Sequence, residues 1–86
     1  MYFVYILQSL SNSRFYVGHC EALIQRFQQH QRGWNKSTKG RSPWSMPYYE
    51  TYMTRAEAVR RERELKAKKS VESLRRVIQR GQPQDT

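Results

Sequence analysis

The sequence predicts one small α+β domain, a three-stranded sheet flanked by helices in the order β-β-α-β-α-α, over residues 1–80, with a flexible tail at 81–86. Three observations carry that expectation. Residues 2–8 and 14–18 are rich in β-branched and aromatic side chains and are parted by a polar stretch, Ser9 to Ser13, as a hairpin requires. Downstream, apolar residues recur at helical spacing in segments opened or closed by capping residues and glycine. A chain of 86 residues has surface enough for only one modest core, so two independent domains are excluded.

Taken in order, the first two strands form the hairpin. If it is symmetric about residues 10 and 11, Tyr5 stands directly opposite Tyr16 on one face. From Glu21 to about Gln31 the alternation is lost; Leu23, Ile24 and Phe27 mark an inward helical stripe, and Gly33 ends the segment. Arg26 and His30, four apart, share a stripe flanking the apolar one. Residues 32–43 have the composition of an exposed basic loop, with Arg32, Lys36, Lys39 and Arg41 set among small polar residues. A third strand over 45–52 begins near Pro47, which either argues against a strand there or puts it at a sheet edge. Thr54 and Glu57 have the spacing of a capping box, and the helix they open runs to about Lys68 with Glu57–Arg61, Glu62–Lys66 and Glu64–Lys68 as four-residue acid–base pairs. Ser70 can cap a last helix that turns Val71, Leu74, Val77 and Ile78 inward.

Composition narrows the partners. Sixteen Lys and Arg against seven Asp and Glu give a net charge of +9, a field that attracts polyanions, with nucleic acid as the leading class and an anionic membrane as the weaker one. A hydrophobic fraction of 37% with 13% aromatics is that of a folded chain. A lone cysteine, Cys20, cannot staple the fold, which suits a reducing, cytoplasmic setting. The N-terminal apolar run from Tyr2 to Leu7 lacks a basic leader and is too short to span a bilayer, so it reads as a strand and no membrane attachment is expected.

Several residues are candidates for chemistry. Glu62 lies in the stripe of Ala58, Val59 and Leu65, aiming a carboxylate coreward, where it needs a cation, a donor or a metal; a pair with Lys66 or Arg61 would satisfy it without any catalytic role. Arg26 can clamp a phosphate with its planar fork, or simply lie solvated along its stem. His19 follows a strand end, and His30 closes a helix, where the dipole favours the charged imidazole. His19, Cys20 and His30 lack the paired-ligand spacing of a zinc site. Six tyrosines suit a small amphipathic core, and a tyrosine can act as a general base only where cations or a metal favour its phenolate, since its ordinary pKa is about 10.

Phe3-Val4-Tyr5, ten residues, then Tyr16-Val17-Gly18 resembles the paired signature of the GIY-YIG nucleases. Arg26, His30 four residues on, and Glu62 in the later helix match that family's helical arginine, histidine and metal-binding glutamate, so that the match runs from about Tyr2 to Ile78. The chain is most similar to the family's short standalone members rather than to homing enzymes or excision-repair incision subunits. The resemblance implies an endonuclease that cuts DNA, with RNA an open alternative, in repair or recombination. Tyr5 would be the general base, Tyr16 its partner, Arg26 the phosphate stabiliser and Glu62 the ligand of one magnesium or manganese ion, while His30 assists the base or touches phosphate. His19, Arg32, Lys36, Lys39 and Arg41 would contact nucleic acid. Three departures stand out: Phe3 replaces the first glycine, Cys20 stands where a capping hydroxyl is usual, and no asparagine follows Glu62, leaving Gln79 as its nearest substitute. The competing expectation is a noncatalytic nucleic-acid-binding module that keeps the fold; a protein- or membrane-surface adaptor comes last, because the basic helices lack a wide apolar face.

Overall fold

A computed structural model describes residues 1–33, 43–68 and 70–80. Its elements are β1 (Tyr2–Ser9), β2 (Phe15–Cys20), α1 (Leu23–Gln31), β3 (Trp44–Tyr52), α2 (Arg55–Lys66) and α3 (Val71–Arg80), the order expected. The strands make one antiparallel sheet in the order β2-β1-β3. The tail at 81–86 lies outside the described residues.

β1 is central because both of its faces are apolar: Val4, Tyr5, Ile6 and Leu7 are all buried. Alternation sends Val4 and Ile6 to one face, where they meet Val17, Tyr48, Ala58, Leu65 and Leu74 beneath α2 and α3. Tyr5 and Leu7 go to the other face, with Cys20, Trp44 and the α1 residues Leu23 and Phe27. Two small cores therefore sandwich one sheet, and the hairpin's alternation decides which side chains belong to each.

The hairpin register differs from the symmetric expectation. Tyr5 pairs with Gly18, and Tyr16 pairs with Leu7. The cause is the turn. The Ser9 hydroxyl accepts hydrogen bonds from the amides of Ser11 and Asn12, the Asn12 side chain accepts from the Arg14 amide, and Ser13 takes a left-handed φ of 64°. Residues 10–14 are thereby spent on the loop, and the strands slide by two positions. A two-residue slip preserves the face, so the two tyrosines still share one side of the sheet.

β3 is an edge strand, as Pro47 requires, and its pairing with β1 shifts register between Ile6 and Gln8, opposite the Met46–Pro47 step, where a proline needs no ladder donor. The Gln31 side chain ties α1 to this edge, donating to the Trp44 carbonyl at 2.8 Å and accepting from the Trp44 amide at 2.7 Å. The α2 capping box is present: Thr54 Oγ1 accepts from the Glu57 amide, and the Glu57 carboxylate accepts from the Thr54 amide, each at 3.2 Å. Ser70 accepts from the Ser73 amide at 3.1 Å at the start of α3. Ile24 and Val71 are exposed rather than inward, because the inner stripes run through Leu23, Phe27 and His30 on α1 and through Leu74, Val77 and Ile78 on α3.

The surface pairs are partly rearranged. Glu62 meets Lys66, but Arg61 turns from Glu57 to Glu50 and Glu64. Glu50, which faces α2 from β3 between Tyr48 and Tyr52, accepts hydrogen bonds from both phenols and from Arg61 Nε at 2.9 Å. Burial acts against the Glu50 carboxylate, yet these donors outweigh it and hold its pKa below the usual value. The same burial and the adjacent carboxylate push the Tyr48 phenol up to about 12. None of the described helices is long and apolar enough to cross a membrane.

Candidate active site

On the α1 face, the hairpin and one helix bring three of the expected residues into contact. Tyr5 is 1% exposed, at the middle of the central strand, and its hydroxyl lies 2.9 Å from His30 Nε2. Tyr16 is its diagonal neighbour on β2, with ring centroids 6.4 Å apart, and lies 5.0 Å from the His30 ring. The Tyr5 and His30 rings meet edge to face at 5.8 Å.

Gly18 makes this packing possible. A Cβ built there would stand 2.6 Å from the Tyr5 hydroxyl oxygen, 2.8 Å from its Cζ and 3.2 Å from Tyr16 Cε2. The phenol of Tyr5 crosses its neighbouring strand where a side chain would otherwise be, so the glycine serves close approach rather than backbone conformation. Phe3, in the position of the motif's first glycine, packs edge to face on Tyr49 at 6.1 Å, beside the site rather than in it.

The electrostatics of the pocket favour neutral forms. Burial, followed by the charges of Tyr16 and Cys20, raises the Tyr5 pKa well above the ordinary phenol value; Arg26 pulls the other way and Glu62 adds to the rise. His30 is fully buried and is held below its usual value by desolvation and then by Arg26. The helix dipole was expected to favour its charged form, but the imidazole is enclosed between two phenols and dehydration prevails. Burial also raises the Cys20 thiol, against Arg26 and the Ala22 amide. Arg26 itself is exposed on α1, beside Ala22, Gln25 and Gln29, and its charge lowers the pKa values of Tyr5, Cys20 and His30. No side chain caps the start of α1, so Cys20 does not replace a capping hydroxyl.

Glu62 approaches from the other face of the sheet. Its Oε1 meets His19 Nδ1 and its Oε2 lies 2.6 Å from Lys66 Nζ. Burial penalises the carboxylate, but hydrogen bonds from Lys66 and His19 lower its pKa below the usual range, so it is ionised at neutral pH. Glu62 thus lies on the α2 side of the sheet and Tyr5, Tyr16 and His30 on the α1 side, although the charge of Glu62 adds slightly to the rise of the Tyr5 pKa. Contact distances join Tyr5, Tyr16 and His30, while Arg26 and Glu62 enter only as opposing charge effects on the Tyr5 pKa.

His19 is engaged with Glu62 and separated by the sheet from Cys20 and His30, because it points to the α2 face. Arg32 is exposed at the C-cap of α1. Lys36, Lys39 and Arg41 lie outside the described residues. Gln79 lies on α3 with Glu72, Arg75 and Arg76 around a shallow outer depression of about 570 Å³. Among the described residues, no group of three or more His, Cys, Asp and Glu gathers as metal ligands. A single ionised carboxylate does fit a magnesium-like ion, which keeps most of its waters and uses one or two carboxylates plus substrate phosphate.

Three features were not read from the sequence: the reason for Gly18, the Glu50–Arg61 cluster and the Gln31 clamp. Only the second had a signal, since Tyr48, Glu50 and Tyr52 alternate onto one strand face.

Comparison with known proteins agrees with this architecture. A model of the GIY-YIG catalytic domain matches residues 1–75. UPF0213 proteins of Staphylococcus aureus strains Mu3 and Mu50 are each 36% identical over 80 residues, which cover 92% of this chain and 96% of theirs. The solution NMR structure of a UPF0213 protein from Bacillus halodurans aligns with a TM-score of 0.58 at 28% identity, covering 96% of this chain and 89% of that one. With the paired hairpin motif built around Gly18 and a domain match across most of its length, the chain has a nuclease fold and belongs to the GIY-YIG family.

Proposed function

We propose that the chain is a metal-dependent endonuclease that hydrolyses DNA phosphodiester bonds, in repair or recombination. The observation that supports this most is the Tyr5 hydroxyl held 2.9 Å from a buried His30 Nε2, beside Tyr16 and under the charge of Arg26.

A standing phenolate at Tyr5 is disfavoured by burial and by its neighbours. The proton path is therefore a relay. A neutral His30 with its proton on Nδ1 presents Nε2 as an acceptor, and dehydration together with Arg26 keeps it neutral. As a water attacks phosphorus, the Tyr5 oxygen takes the water's proton while its own passes to His30 Nε2, so no buried phenolate accumulates. Tyr16 packs against both rings and fixes their alignment. The exposed Arg26 guanidinium offsets charge growing on the phosphoryl oxygens. The burial of His30 favours a part in assisting the base through Tyr5 over one in touching phosphate. Glu62 would hold magnesium or manganese, which when bound supplies positive charge at the leaving 3′ oxygen, consistent with 5′-phosphate and 3′-hydroxyl ends. His19 and Arg32, with Lys36, Lys39 and Arg41, would border the substrate strand.

The test is a panel of labelled duplex, branched, flapped and single-stranded DNA, with RNA controls, incubated with magnesium or manganese. Cutting is expected for the wild type and lost in Glu62→Ala and Arg26→Ala. Undiminished cutting by both variants would refute the site. DNA binding without cutting of any substrate would instead favour a noncatalytic binding module.

A further inference from the structure

The carboxylate assigned to the metal is occupied on both oxygens by side chains of very different freedom. Oε1 meets His19 Nδ1 and Oε2 meets Lys66 Nζ at 2.6 Å. His19 belongs to β2, is packed under α2 and is 27% exposed; Lys66 is the last residue of α2 and is 53% exposed. Each oxygen keeps a second lone pair, but a divalent ion at Glu62 competes with these two donors for the same negative charge.

The physical balance selects Lys66. Its ammonium is a strongly hydrated single charge on a flexible stem, and half of the side chain is already in water, so releasing it costs little. The His19 ring, on a strand packed against α2 and half as exposed as Lys66, is the less free of the two. It also holds the carboxylate in the way outer partners orient metal ligands. Resting on the reading of Glu62 as a metal ligand, we propose that Lys66 is the ion's placeholder: it neutralises Glu62 in the ion-free protein and yields Oε2 to the entering ion, while His19 stays and positions the carboxylate. Lys66 thus competes with the metal, and His19 supports it. A plain four-residue helix pair would serve stability alone and would leave ion affinity untouched.

The experiment is manganese binding to the full chain without DNA, followed by electron paramagnetic resonance of the free ion at low ionic strength. Lys66→Met is expected to bind manganese more tightly, by up to about fivefold for an ion pair of this exposure. Lys66→Arg should return to the wild-type affinity. His19→Ala should bind more weakly, with its fold checked by circular dichroism. Unchanged or weaker binding by Lys66→Met overturns the placeholder role, and so does tighter binding by His19→Ala, which would make histidine the competitor. Glu62→Gln separates the two levels: binding that persists there overturns Glu62 as the ligand, whereas binding lost there but indifferent to Lys66→Met overturns only the inference drawn from it.

Discussion

At the scale of single residues, the site is governed by how closely Tyr5 is enclosed. Gly18 has no side chain because the Tyr5 phenol occupies the space, 2.6 Å from where a Cβ would stand. Gly18→Ala should therefore displace an immobile ring, break its bond to His30 and destabilise the fold by about 1–3 kcal/mol, the usual cost of overpacking, with activity lost alongside. Thermal melting and a cleavage assay on the same sample check both parts. His30 adds a pH signature. Its ordinary value is 6.5, and burial, then Arg26, places the folded value lower. The unfolded chain therefore binds the proton more readily, so the stability from neutral His30 is complete above about pH 6.5 and declines as pH falls toward the folded value. The melting temperature should drop on acidification through that window, and drop less in His30→Gln. The motif residues were legible by spacing, but the enclosure of His30 was not, because it depends on β2 and β3 closing over α1 from distant parts of the chain.

Among the elements, α2 packs across all three strands on one face of the sheet. Its inner stripe buries Ala58 and Leu65 completely against the sheet, and Arg61 reaches across to Glu50 on the edge strand. Glu50→Gln should weaken the charge-assisted bonds to Arg61 and two phenols at a cost of about 1–3 kcal/mol near neutral pH. The Glu50 carboxyl lies below 4.5 when folded, so its stabilisation is full above that value and is lost as pH falls through the folded one. Denaturant midpoints of wild type and variant should accordingly converge in acid. Periodicity and capping residues were enough to locate every element, and Pro47 correctly marked the edge. The hairpin register was not legible, since it turns on the Ser9 hydroxyl and the left-handed Ser13, details of a five-residue turn that strand alternation does not record. The pairing of Arg61 was missed for a similar reason: helical spacing offered Glu57, while a carboxylate from another element was better placed.

The whole molecule combines a net charge of +9 with a buried cluster of Tyr5, Cys20 and His30 whose groups are kept neutral, with the charges of Arg26 on α1 and Glu62 on α2 acting on it. On the proposed reading, capture and chemistry are separated: surface cations would draw in the strand, and the enclosed phenol and imidazole would handle one proton. DNA affinity should fall linearly with salt on logarithmic axes, with a slope set by the phosphates neutralised, and Tyr5→Phe should leave that slope unchanged. The central claim is that Tyr5 relays a proton within a site completed by Glu62, and the most direct measurement is the single-turnover cleavage rate of Tyr5→Phe at saturating enzyme and metal. The rate should fall by about 10²–10⁴-fold, the contribution of a positioned general base, with DNA affinity retained. Cleavage by Tyr5→Phe at the wild-type rate would contradict the account.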